Sequence, residues 1–290
     1  MRRTLWIFLI CVFTLAVCHP LKGFNYTEKN SPRFADFSIA AKPAAHDTII
    51  IGSYNIKHGK KVDKAIKIIS EDNHLKQADI LLLQEMTDQS AQKLASSLGY
   101  NYVYYPSAIH PVPDSDLGNA ILSKWPIIHD EKIILPHLDP QMLQRVAVIA
   151  HININGTIVA VSSVHMDIFL QPDQRAEQVE KIINAIPDTI ENKIIGGDFN
   201  SVTNIVRNTL IENFDHHGYT HATDKVLWTY KHWYFLNKKT VLDHIFTKNF
   251  IVTDSGMVKN RSASDHLPVW TEIKLQNNST SPAQEFASDY

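Results

Sequence analysis

The chain of 290 residues has only two cysteines, Cys11 and Cys18, and both fall within its first 18 residues. Once that segment is removed the remainder has none, which excludes disulfides, a thiolate nucleophile and a cysteine-type zinc site. A basic excess is also missing. Without Arg2 and Arg3 there are 26 basic residues against 30 acidic, a net charge of −4, so no global positive field draws polyanions to the surface. Long apolar runs are scarce. The longest, Leu5 to Val17, is interrupted by Thr14 and follows Arg2 and Arg3. It is short for a membrane span and has the n-region and h-region of a secretory signal. Ala16 and Cys18 stand at the −3 and −1 positions, which predicts cleavage before His19 and an exported protein, periplasmic or secreted. A lipoprotein acylated at Cys18 is the alternative, with bulky Val17 against it; an uncleaved membrane-anchored form is a third.

The rest of the chain has the material for a substantial core: 44% of residues are hydrophobic and 20% charged. Residues 19–47 are mixed, polar and contain three prolines, and they read as a leader arm. From residue 48 to 275 the pattern is regular and has no composition break, which predicts one domain. The polar tail, 276–290, is expected to be disordered. "TIIIGSYNI", "ADILLLQE", "YNYVYYP", "GNAILSK", "PIIHDEKIIL", "RVAVIAHINI" and "TIVAVSSVHM" read as strands, with Asn155-Gly156 as a hairpin turn. "KIIGGDFN", "VLWTY", "TVLDHIF", "IVTDSGM" and "PVWTEIKL" extend the series. Helical spacing appears at Val62, Ala65, Ile66 and Ile69, and again at Ala176, Val179, Ile183 and Ile186. A further helix runs from Asp88, the N-cap candidate, to a stop at Gly99. The fold class this predicts is α/β, with two packed, mostly antiparallel sheets flanked by helices.

Several of these strands end on a residue able to bind metal or phosphate. Asn55 ends "IIIGSYN", Glu85 ends "ILLLQE", His165 ends "VAVSSVH", and Asp198 and Asn200 end "IIGGDFN". Asp243 sits in "VLDHIF" and Asp265-His266 in "ASDHLPV". Singly, each has an ordinary explanation as a turn residue, a helix cap or a hydrogen-bonded scaffold group. Jointly they describe a site. Gly196-Gly197 removes side chains where the backbone must approach something closely, and residues two apart in an extended chain, such as Asp198 and Asn200, point to one side.

The motifs "SYNIKHG", "LLLQEM", "GNAILSKWPI", "RVAV", "VHMD" followed by "QRAEQ", "GGDFNS", "LDHIF" and "SDHLPV" occur in the order seen in the endonuclease/exonuclease/phosphatase superfamily, whose fold is deoxyribonuclease-like. The chain resembles this superfamily from about residue 48 to 275. The resemblance implies a four-layer sandwich and an Mg²⁺-dependent phosphoric ester hydrolase, with Mn²⁺ as the alternative ion. It implies that Asn55 and Glu85 hold the metal and that Asp265 completes a second position. Asp198 would take a proton from the attacking water or orient it, and Asn200 would hold the phosphate or that water. His266 would donate to a nonbridging oxygen or protonate a departing group, oriented by Asp243. His165 is similar to the second histidine of the deoxyribonuclease and sphingomyelinase branches, and Arg145 matches a family arginine with either a substrate-binding or a salt-bridge role.

Differences from individual branches narrow the substrate. "SVHMD" stands where abasic-site endonucleases carry a Tyr/Asn strand, "LDHIF" lacks the "CDR" of inositol-polyphosphate phosphatases, and "SGMVKNRSASDH" is too short and polar for the aromatic hairpin of secreted bacterial sphingomyelinases. Deadenylase-like members share "SYNI", "GDFNS" and "SDH", so these motifs do not separate them from this chain. Lys57, Lys60 and Lys61 follow Asn55 closely and are candidates for binding phosphate, or they simply begin a solvated helix. Trp228, Tyr230, Trp233, Tyr234 and Phe235 can stack on bases, enter a lipid interface or fill a strand pair. The expected partner is a phosphodiester substrate, nucleic acid ahead of lipid. The alternatives are a lipid or sugar-phosphate phosphodiesterase or phosphatase and, in another class, a non-catalytic binding scaffold.

Overall fold

In the computed structural model, the described residues are 24–39, 43, 47–112, 114–137, 142–168, 170–232 and 237–276. The apolar N-terminal segment on which the signal and cleavage were expected, the aromatic residues Trp233, Tyr234 and Phe235, and the tail from 277 lie outside them. Among the described residues no helix is long and apolar enough to cross a membrane.

Two short arm strands, β1 (Phe24–Asn25) and β2 (Phe34–Asp36), precede β3 (Thr48–Asn55), α1 (Val62–Glu71), β4 (Ile80–Met86) and α2 (Asp88–Leu98). Then come β5 (Asn101–His110), β6 (Ser115–Ser123), β7 (Ile127–Ile134), β8 (Val146–Ile154), β9 (Thr157–His165), α3 (Pro172–Ala185), β10 (Asn192–Asp198) and α4 (Asn204–His216). The chain continues through β11 (Thr220–His221), β12 (Tyr230–Lys231), β13 (Lys239–Thr240), β14 (Asp243–Lys248), β15 (Phe250–Met257) and β16 (Val269–Leu275). One sheet has the order β1-β5-β6-β4-β3-β16-β15, with β2 also on β5; the other has β11-β14-β10-β9-β8-β7. Only β3/β4 and β9/β10 run parallel among the paired strands. Each of those pairs is joined by a crossover carrying α1 or α3, which places a helix on the outer face of its sheet.

The four layers explain why the central strands read as unbroken apolar runs. Ile51, Leu82, Val161, Ile194 and Ile245 meet between the sheets. Leu81 and Leu83 face outward under Ala65, Ile68 and Leu94, and Ile195 and Phe246 face Val179, Ile182 and Phe214. A strand buried on both faces has no polar alternation to show. The Asn155-Gly156 turn is confirmed: both residues have positive φ, 53° and 91°, and Ile154 faces Thr157 across it.

Two local expectations are corrected and a third is extended. Asp88 is not the cap of α2. Thr87, in extended conformation one residue earlier, accepts the Ser90 N–H, and Ser90 Oγ accepts the Thr87 N–H in return. The face of α3 read from the sequence meets the core at Val179, Ile183 and Ile186, but the buried side is wider, taking in Ile182, Arg175 and Gln178. The two polar residues are buried through bonds to the backbone, Gln178 donating to Pro136 O at 2.6 Å. "VLWTY" is not a strand as a whole. Only Tyr230 and Lys231 pair, with Thr240 and Lys239, and Leu227 is 77% exposed.

Candidate active site

The strand ends expected from the sequence converge, and they form two unlike halves. In the second sheet, the register places Asp198 opposite His165 on β9 and opposite Asp243 on β14. Residues directly opposite point to one face, so the ladder itself lines up the imidazole and both carboxylates. Gly197 makes this alignment feasible: a Cβ there would lie 2.0 Å from Val164 O on β9. Gly196 serves the other direction, since its Cβ would press to 2.7 Å from Leu82 of the facing sheet. His266 joins from the segment before β16, with Nδ1 2.9 Å from Asp243 Oδ2 and Nε2 3.7 Å from Asp198 Oδ2. His165 Nε2 lies 3.6 Å from the same Asp198 oxygen. Asn200, in the left-handed region at φ 50°, gives its backbone N–H to Asp198 Oδ1 at 2.9 Å and its side-chain amide to Met166 O at 2.8 Å.

The first sheet contributes a more open half. β3 and β4 are parallel, and Glu85 falls where the pairing of β4 with β6 shifts register between Leu83 and Met86. Its φ of 53° turns the carboxylate out of the regular alternation, as bulges at functional sites do. Asn55 connects the halves: Nδ2 donates to Glu85 Oε1 at 3.1 Å and to Asp198 Oδ2 at 3.0 Å. Beyond it, Lys57, His58 and Gly59 are all left-handed, with φ of 48°, 58° and 62°. Lys57 Nζ pairs with Asp265 Oδ2 at 2.7 Å, and His58 Nε2 stands 3.5 Å from Glu85 Oε2.

The buried half is electrostatically polarised. Burial pushes the Asp198 carboxyl up to about 6, against the attraction of His266. For His266, burial works against charge, but the carboxylates of Asp243 and Asp198 outweigh it and raise the imidazolium to about 10. Burial, with Arg145 and His266 nearby, drives His165 well below the ordinary histidine value. Arg145 Nη1 lies 3.2 Å from His165 Nδ1. Arginine only donates, so Nδ1 accepts and neutral His165 carries its proton on Nε2, toward Asp198. Burial alone would raise Asp265, but its hydrogen bond from Lys57 prevails and lowers it. Burial also lowers His58.

Arg145, Lys57 and Trp228 each have a charged or aromatic partner within the chain. Arg145 is directed at Asp167 Oδ1, 3.3 Å away, as well as at His165, so it braces a site residue. Lys57 is committed to Asp265. Lys60 and Lys61 are exposed on the turn leading into α1. Trp228 lies under Lys239 Nζ, 4.7 Å from its ring centre, while Tyr230 packs against His266 with ring centres 4.9 Å apart.

The model of the Endonuclease/Exonuclease/phosphatase family matches residues 39–266. The chain belongs to this family. Solved structures with the same fold include an endonuclease/exonuclease/phosphatase from Bacteroides vulgatus, 17% identical, TM-score 0.64, covering 79% of this chain and all of that one. A mannosyl-6-phosphatase from Bacteroides thetaiotaomicron is 17% identical, TM-score 0.62, covering 78% and 99%. D. rerio TDP2 complexed with single-strand DNA product is 16% identical, TM-score 0.60, covering 79% and 100%. No curated protein matches the chain.

Enzymes of the Endonuclease/Exonuclease/phosphatase family hydrolyse phosphoesters and depend on divalent metal, and the donors present fit such an ion. One grouping is Asp198, Asp243 and His266, whose donor atoms all lie within 4.8 Å of one another. Asp243 is fully buried and already bonded to His266, which leaves little room for the waters that Mg²⁺ keeps. Glu85 suits the ion better. Its carboxylate is 20% exposed, beside the amide of Asn55. His58 and Arg175 escaped the sequence analysis. Arg175, 3% exposed, donates to the carbonyls of Phe199 and, at 3.0 Å, Asp167, tying together the segments that carry Asn200 and His165. Neither stands out in sequence: His58 lies in a lysine-rich turn, and Arg175 among the polar residues of a helix start.

Proposed function

We propose that this protein is an exported, divalent-metal-dependent phosphodiesterase with nucleic acid as its substrate class. The observation that carries the reading is the gathering of two imidazoles on one carboxylate: Asp198 Oδ2 stands 3.7 Å from His266 Nε2 and 3.6 Å from His165 Nε2, and the Asn55 amide ties it to Glu85. Asp198, with one oxygen fixed by the Asn200 N–H and the other by the Asn55 amide, accepts a proton from the attacking water. His266, oriented by Asp243, donates from Nε2 to a nonbridging phosphate oxygen and offsets the charge that grows as phosphorus becomes pentacoordinate. His165 offers its Nε2–H to a second oxygen. Glu85, with Asn55, would hold Mg²⁺ or Mn²⁺, which when bound supplies Lewis-acid stabilisation of the phosphoryl oxygens. Exposed Lys60 and Lys61, and the ring of Tyr230 against His266, support a chain of phosphates and bases as ligand.

The test is a panel of plasmid DNA, RNA, sphingomyelin and simple phosphate esters, each with Mg²⁺, Mn²⁺ or chelator. Cleavage of DNA or RNA that stops on chelation supports the reading. Brisk lipid or sugar-phosphate hydrolysis with intact nucleic acid refutes the substrate class, and full activity after exhaustive chelation refutes the metal.

A further inference from the structure

The turn after β3 holds a histidine that the reaction above does not use. His58 has its side chain 15% exposed and its Nε2 3.5 Å from Glu85 Oε2, too far for an ordinary N–H···O bond. Its Nδ1 is buried and has no hydrogen-bond partner. The backbone that presents the ring is itself unusual, because Lys57 and His58 are both left-handed without being glycine. A second imidazole, His110, stands edge-on at 4.6 Å between ring centres, with its Nδ1 accepting the Val112 N–H at 3.1 Å.

We propose that His58 and Glu85 together ligate the divalent ion of this site, and that the nitrogen donor turns its selectivity from Mg²⁺ toward a later first-row ion such as Co²⁺ or Zn²⁺. The proposal rests on the ion position at Glu85 argued above. Two donors on one ion, each about 2.1 Å from it, stand roughly 3.0–3.4 Å apart, and the observed 3.5 Å separation needs almost no movement to meet this. Mg²⁺ takes hard oxygen donors, whereas imidazole favours the later ions of the series. The strained turn brings the ring to the open side of Glu85, where waters can complete the shell.

Binding of Co²⁺, followed by its visible absorption, and of Mg²⁺, followed by calorimetry, separates the outcomes. The proteins are the wild type, His58→Asn, His58→Ala and Glu85→Gln. Asparagine tolerates the left-handed backbone better than alanine, so it preserves the turn. The expected result is tighter Co²⁺ than Mg²⁺ binding by the wild type, a loss of about tenfold or more in Co²⁺ affinity in both His58 variants with an altered spectrum, and Mg²⁺ affinity within about twofold in His58→Asn. If Glu85→Gln abolishes Co²⁺ binding while His58→Asn leaves affinity and spectrum unchanged, His58 is not a ligand and the proposal falls, with the ion at Glu85 standing. If Glu85→Gln also has no effect, the ion position itself is wrong and the proposal falls with it.

Discussion

The two halves of the site are held by different physics. The half on β9, β10 and β14 is a stretch of regular ladder: His165, Asp198 and Asp243 are neighbours by register, and each is buried. The half on β3 and β4 departs from regularity. Glu85 leaves the pleat at a bulge, and Lys57 and His58 take up left-handed backbone. The ladder supplies rigidity where protons must move over short, fixed distances. The irregular turn supplies exposure where, in the proposed reaction, an ion with its waters and the substrate would enter. Substitutions on the buried side are therefore expected to act on turnover and stability, and those on the open side on affinity.

The largest effect is expected from Asp198→Asn and His266→Ala, each lowering kcat on a phosphodiester by about a thousandfold, since a preorganised group of this kind is worth about 3–4 kcal/mol. Burial raises the Asp198 pKa from 3.8 to about 6, so the folded protein tolerates the ionised form less well than water does. Asp198 also stabilises the imidazolium of His266 and accepts from Asn55 and Asn200, so the neutral Asn removes a partner as well as a buried charge, and a melting curve beside the kinetics separates lost turnover from lost folding. Near-wild-type turnover in either variant would remove the assigned roles.

Gly197→Ala challenges the ladder directly. With a Cβ placed 2.0 Å from Val164 O, β9 and β10 must separate, and a loss of about 3 kcal/mol or more is expected in urea unfolding. A smaller loss would mean that the strands give way more easily than the buried half requires.

Acid should weaken the same half. Behind Asp243 and Ser201, His244 Nε2 meets Ser201 Oγ at 2.9 Å and its Nδ1 meets His221 Nε2 at 3.0 Å. Burial lowers His221 from 6.5 to about 4 and holds His244 well below 6.5. Both are neutral when folded, while the unfolded chain takes up protons below its own value of about 6.5. Their contribution is thus complete above that pH and is lost as pH falls from about 6.5 toward 4, roughly 3 kcal/mol for His221. Urea midpoints from pH 7.5 to 4.5 measure it, and a His221→Gln variant should show a flatter pH dependence. An unchanged slope would show that the pair does not carry the acid sensitivity.

On the open side, Glu85→Gln is expected to raise the divalent ion concentration needed for half-maximal activity by about tenfold or more, with an unchanged melting temperature in chelator. The smallest effect belongs to Lys60→Gln with Lys61→Gln. If each lysine neutralises one phosphate, the double variant should flatten the salt dependence of DNA binding by about one unit per lost contact, leaving kcat on a small diester unchanged. Equal salt dependence would leave these lysines as solvated helix-start residues.

How far the sequence showed this division depended on whether the signal was local. "GGDFN" and "LDHIF" displayed the carboxylates at the ends of apolar strands, Asp198 closing β10 and Asp243 opening β14. The hairpin at Asn155-Gly156 was legible because its turn type demands those residues. The core face of α3 was legible at Val179, Ile183 and Ile186 but not at Arg175 and Gln178, which are buried through bonds to carbonyls of distant segments, because polarity in sequence implies exposure until such partners are known. The cap of α2 was misjudged by one residue because Thr87 and Asp88 are both good caps, and backbone direction decides between them.

The sequence by itself determined the layers and the identity of the strand-end residues, since period, apolar runs and glycine positions follow from short-range sterics and burial. Only the tertiary structure decided which of those residues meet. Register placed His165, Asp198 and Asp243 in one row, Asn55 spanned the gap between two sheets, and Lys57 closed on Asp265 instead of remaining free. It alone brought His58 to Glu85, across a turn with two consecutive non-glycine residues in left-handed backbone, a run that local preference rarely selects. That conformation persists because the surrounding packed sheets hold it, and such support is a property of contacts far apart in the chain.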